Sequence, residues 1–176
     1  MSGTAEIAEK FTLFVDLGVI SVPDDYDHST QLASFATKYR HLFYYYNDSI
    51  TDENFGSPTT KLVRGQKLHV GGFKQVVPGT MTSEERMAFL ASHNAIHTGA
   101  QGASLVFELL REKLPKGYWY TSFDEKAALW SDSAGHGVPI LDAHSVDAFG
   151  LRLGRFHNRW RDVDITLCFS DATKRG

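Results

Sequence analysis

Three arginines, Arg152, Arg155 and Arg159, recur at i, i+3 and i+7, and Arg161 follows at once. On a helix that spacing aligns three guanidinium groups along one flank, a geometry suited to phosphates, which arginine binds through paired hydrogen bonds. Asp142, Asp147, Asp162 and Asp164 lie close by in sequence and offer the other kind of partner, ion pairs within the chain or between subunits. Upstream, two β-type runs, Lys67–Val70 and Phe73–Val77, flank Gly71-Gly72 and read as a hairpin bearing Lys67 and Lys74. Arg152, Arg155, Arg159, Lys67 and Lys74 together form the expected contact with RNA, DNA or another polyanion.

His93 and His97 are the second constellation. At i and i+4 of a helix, two imidazoles face the same way, the spacing by which a helix presents a metal with two ligands. Asn94 stands where a metalloprotease motif needs glutamate, and Arg86 and Arg111 share the same polar face and oppose a bound cation. The pair therefore reads either as a metal site or as two histidines in a polar groove. Cys168 alternates with apolar residues and has no activating neighbour in sequence, so an inert thiol is expected. No serine sits in a nucleophile elbow, and Gly99–Ser104 lacks the Gly-Lys-Ser/Thr ending of a phosphate loop. No motif specifies a cofactor or a catalytic residue.

The elements that would position these residues begin with 82–114. Thr82 and Glu85 make a capping box, Pro115 supplies a stop, and apolar or small residues cover most of the circumference between them. Gly99 and Gly102 weaken such a helix by about 1 kcal/mol each. The polar face nevertheless continues across them, so one long central helix is expected. Further helices are expected over 4–17, 29–46, a short 122–130 and 145–160, the last carrying the arginine flank. Val163, Ile165, Leu167 and Phe169 alternate strictly and predict a strand over 162–169 that pairs with the hairpin. Phe43-Tyr44-Tyr45-Tyr46 closes the second helix with more aromatics than one core face can take, a candidate subunit contact or base-stacking platform.

The 176 residues suit a single domain over 1–176, and 42% hydrophobic content suits an ordinary globular core. A net charge of −3 argues against wholesale polyanion binding and leaves room for a local basic patch. One cysteine excludes an internal disulfide and points to a reducing compartment, the cytoplasm. Neither a signal peptide nor a membrane span is expected, since no long apolar run occurs. The resulting expectation is an α+β fold, a mostly helical single domain with a long central helix and a small antiparallel sheet. In function it reads as a non-enzymatic binding or assembly protein, a homo-oligomer that contacts nucleic acid through an arginine-lined helix. The alternative is a small enzyme with a His93/His97 site on the central helix, with or without metal.

Overall fold

A computed structural model describes residues 2–174, with side chains from residue 6 to residue 173. Strands hold 37% of the chain and helices 27%, which overturns the expectation of a mostly helical domain. The elements in order are α1 (Ser2–Glu9), β1 (Phe11–Ser21), α2 (Gln31–Tyr39), β2 (Phe43–Tyr46), β3 (Lys67–Gln75), β4 (Met81–Thr82), α3 (Ser83–Ser92) and α4 (Gly99–Leu110). There follow β5 (Tyr118–Thr121), β6 (Ser131–Asp132), β7 (Gly135–Ser145), β8 (Ala148–Arg155), β9 (Arg159–Trp160) and β10 (Asp164–Asp171). A mixed sheet runs β1-β3-β10-β5-β7-β8-β2, with β6 added beside β7, while β4 and β9 form a separate two-stranded pair. Contacts β10/β5 and β8/β2 are parallel; the other neighbours in the sheet are antiparallel.

The long central helix does not exist, because the chain breaks between Ser92 and Gly99. Asn94 adopts φ +53°, its N–H donates to Ala91 O, and the N–H of Ala95 donates to Leu90 O. That is a Schellman termination, in which a left-handed residue satisfies the last carbonyls of a helix. Gly99 then takes φ +55° as α4 begins. The Thr82/Glu85 capping box, by contrast, is present with both reciprocal hydrogen bonds. The expected 4–17 and 29–46 helices stop at Glu9 and Tyr39, and Phe11–Ser21 and Phe43–Tyr46 are strands, as suits their aromatic and β-branched content. Between Ser122 and Trp130 only a 3-10 turn forms, over 126–128.

The hairpin is also corrected: Lys67–Gln75 is one continuous strand through Gly71-Gly72. Neither glycine has the positive φ that a two-residue hairpin turn requires. Instead they allow close approach, since a Cβ on Gly72 would lie 2.9 Å from Ile165 and 3.0 Å from Val15. The strand expected over 162–169 is β10, and it does pair with β3.

Each face of the sheet has its own helix. α4, apolar and almost wholly buried, packs on β7 and sets Phe107 against Phe43 and Phe149. α3 covers part of the opposite face, where Phe89 stacks on Phe11 at 4.2 Å and meets Phe73 at 5.0 Å. On either side of α3 that face stays open. Among the described residues no helix is long and apolar enough to cross a membrane.

Candidate functional site: an arginine cleft beside α3

No helix carries the arginines. Arg152 and Arg155 belong to β8, and Arg159 to β9. Strand alternation sends residues three apart to opposite faces. Arg155 accordingly leaves the group and forms a two-bond pair with Asp132, Nη1 to Oδ1 at 2.9 Å and Nη2 to Oδ2 at 3.1 Å. Arg152 and Arg159 do meet, and Arg161 joins them. All three line one open cleft of about 270 Å³ with Tyr45, Trp119 and Asp164.

Strands β2, β5, β7, β8, β9 and β10 all contribute to the lining of this cleft. On β8, Arg152 donates from Nε to Asp142 Oδ2 at 3.2 Å and from Nη2 to Tyr44 Oη at 3.0 Å; the Tyr44 hydroxyl in turn donates to Asp142. Its guanidinium lies 4.7 Å from the centre of the Tyr45 ring and 5.2 Å from Trp119. Such contacts fix a long side chain in one orientation and leave the planar rings beside it. Arg159 is brought in by the β4/β9 pair, which sets Thr82 opposite Arg159. Among the described residues its guanidinium is held by Thr80, Nε to Oγ1 at 2.7 Å, rather than by a carboxylate. Arg161 stands largely exposed, with Nε 3.9 Å from Asp164.

Beneath the cleft lies Arg86 of α3, fully buried at 0% exposure. Its Nη1 donates to Asp164 O and to Thr166 Oγ1, and its Nη2 to Gln75 Oε1 and, at 2.9 Å, to Arg161 O. One guanidinium thus ties the start of β10 and the backbone of Arg161 to α3. Burial lowers the Arg86 pKa to about 10. The same desolvation holds the Asp164 carboxyl above its ordinary value, because a buried carboxylate loses hydration. The Trp160 indole, buried nearby, donates to Ser83 Oγ at 2.8 Å and anchors β9 to the start of α3.

The lysines lie elsewhere. Lys67 Nζ donates to Ser21 Oγ at 3.0 Å, and Lys74 Nζ sits 5.5 Å from the Tyr118 ring and 5.7 Å from Phe14; neither lines the cleft. His93 and His97 no longer share a helix. His93 ends α3, packed at 4.5 Å from Phe89 and 5.2 Å from Phe73, and burial lowers its pKa, favouring the neutral ring. His97 lies beyond the break, 3.8 Å from Glu125. Among the described residues no group of three or more His, Cys, Asp or Glu is gathered that could hold a metal ion.

A second cavity opens on the same sheet face at the other end of α3. It holds about 730 Å³ and is lined by His69, Gly71, Phe73, His93, Asn94, Cys168 and Ser170, among others, with no lysine or arginine. Burial pushes the Cys168 thiol up to about 11, so no thiolate forms there at neutral pH.

No protein-family model matches the chain, and no curated protein or solved structure does either. The sequence pattern does not reveal Tyr45 and Trp119 as partners of the arginines, although Phe43–Tyr46 is a candidate aromatic platform.

Proposed function

We propose that the protein binds single-stranded nucleic acid along the open sheet face beside α3. The observation that carries this reading is the convergence of Arg152, Arg159 and Arg161 with Tyr45 and Trp119 on one cleft. Single-stranded nucleic acids are held by a positively charged groove that tracks phosphates and by aromatic faces on which bases stack. Tyr44 and Tyr45 are 52% and 41% exposed on β2, an edge strand, so the aromatic platform continues outward from the cleft. Arg159 and Arg161 are the phosphate contacts, because their guanidiniums are less engaged than that of Arg152. Arg152 supports the rings that stack the bases. With Asp142 and Asp164 among these arginines and a net charge of −3, binding is local and short rather than a long electrostatic track.

Fluorescence anisotropy with a labelled oligothymidine or oligouridine tests this. Wild-type protein should bind at about 50 mM salt, and Trp119→Ala should cost roughly 1–3 kcal/mol of affinity, the worth of one stacked base. An unchanged Kd in Trp119→Ala would show that no base stacks on Trp119.

A further inference from the structure

The second cavity has features that nucleic-acid binding leaves unused. Its floor is Gly71 and Cys168, facing each other in the β3/β10 register, and its walls include Phe73 and His93. At its rim His69 and Ser170 face each other across the same antiparallel pair. Directly opposed residues of this kind have Cβ atoms about 4.5–5.5 Å apart on one face. On the far side of His69, Asp16 of β1 reaches in from the bulge at Asp16/Gly18, and its Oδ1 lies 2.8 Å from His69 Nε2. The bulge is stapled by the Gly18 N–H, which donates to the same Oδ1 at 2.9 Å. Three adjacent strands, β1, β3 and β10, thus contribute a carboxylate, an imidazole and a hydroxyl in that order.

We propose that this cavity is a hydrolytic site for uncharged carboxylic esters, with Ser170 as nucleophile, His69 as general base and Asp16 as the residue that positions His69. With Nε2 engaged by Asp16, Nδ1 is the ring nitrogen left to accept a proton. As the Ser170 Oγ–carbon bond forms, the hydroxyl proton passes to His69. As the ester carbon–oxygen bond breaks, that proton goes to the departing alcohol. Water then attacks the acyl-serine by the same route, giving the acid and restoring Ser170. Asn94 lines the same cavity and brings the carboxamide N–H groups that a developing oxyanion calls for. Cys168 is not the nucleophile, since burial keeps it a thiol. The substrate carries no negative charge, because the lining holds no lysine or arginine to receive an anion and includes a carboxylate, Asp171, that would repel one, while most of the remaining lining is apolar. A volume of about 730 Å³ suits a small molecule.

The test is covalent labelling of the full chain with an uncharged octyl fluorophosphonate, followed by intact mass and peptide mapping. One adduct per chain at Ser170 is expected, absent in Ser170→Ala. His69→Gln should slow labelling by about 100-fold or more, the usual contribution of a general base. Asp16→Asn, changed at a half-exposed side chain, should slow it with the fold intact by circular dichroism, and Asp16→Glu should recover part of the rate. If His69→Gln fails to fold, the Asp16 pair decides. Absence of an adduct at Ser170 under prolonged exposure overturns the proposal, as does labelling of His69→Gln, or of Asp16→Asn, at the wild-type rate.

Discussion

Along one face of β10, Asp164 borders the arginine cleft, Thr166 lies under Arg86, and Cys168 and Ser170 line the histidine cavity. Four alternate residues of a single strand thus border or lie between two cavities of unlike lining, with α3 laid between them. The cleft is built from long, charged side chains held by several partners each, and its order depends on Arg86 underneath. The cavity is built from what is missing: Gly71 has no side chain, and α3 ends at His93 before covering that part of the sheet. Where the helix lies decides which stretch of sheet becomes which site. The Asn94 termination therefore sets where α3 stops covering the sheet and the histidine cavity begins.

The strongest way to break this contrast is to remove Arg86. Arg86→Met leaves Asp164 O, Arg161 O, Thr166 Oγ1 and Gln75 Oε1 without their buried donor. Unsatisfied buried acceptors cost about 1–3 kcal/mol each, partly relieved by relaxation, so a loss on the order of 3–5 kcal/mol is expected in urea unfolding. An unchanged midpoint would show that Arg86 does not hold the start of β10.

The neighbouring glycines separate the two faces of β3 more finely. A Cβ on Gly72 meets Ile165 and Val15 at 2.9 and 3.0 Å, whereas one on Gly71 meets only the side chains of Phe73 and Leu13 at 3.3 and 3.4 Å, and then Val15 O at 3.8 Å. Gly72→Val should therefore destabilise by about 1–3 kcal/mol through overpacking. Gly71→Val should cost about 1 kcal/mol or less, fill the floor of the cavity and leave oligonucleotide binding unchanged. Equal melting temperatures for the two variants would contradict the assignment of faces.

Acid titration gives a smaller effect, specific to the cleft. The Asp164 carboxyl is raised by burial, so the folded state takes up its proton at a pH where the unfolded chain is still ionised. Its contribution to stability accordingly grows as pH falls through the folded pKa, above the ordinary 3.8. Protonation also removes a negative charge beside Arg161. Oligonucleotide affinity should thus rise a few-fold on acidification through that window, and Asp164→Asn should abolish most of the rise. A pH response identical in the variant would place its origin elsewhere.

Parts of this arrangement were legible in the sequence for physical reasons. The Thr82/Glu85 box is a local hydrogen-bond pattern, and the alternation of β10 is long enough to exclude a helix. Val146, Phe149, Leu153, Phe156 and Trp160 fall on a helical arc and mimic the helix expected over 145–160, where β8 stands instead. Phe149-Gly-Leu-Arg-Leu-Gly-Arg155 also alternates, with two glycines that a helix would disfavour, and that signal describes the strand. Arg152, Arg159 and Arg161 were visible as a cluster, but Tyr45 and Trp119 reach them only because β2 and β5 lie near β8 in the sheet. The pairing of Asp16 with His69 depends on a bulge 53 residues away in sequence, which no local pattern announces.

Phosphate binding in the cleft is proposed to run through Arg159 and Arg161. Its most direct test is the salt dependence of oligonucleotide binding for wild type and for Arg159→Gln/Arg161→Gln, whose side chains are exposed enough for the fold to survive. Log K is expected to fall linearly with log salt in wild type, and the double variant to lose affinity together with roughly 0.7 units of slope per lost phosphate contact on a single strand. Wild-type affinity and slope in a folded double variant would contradict it.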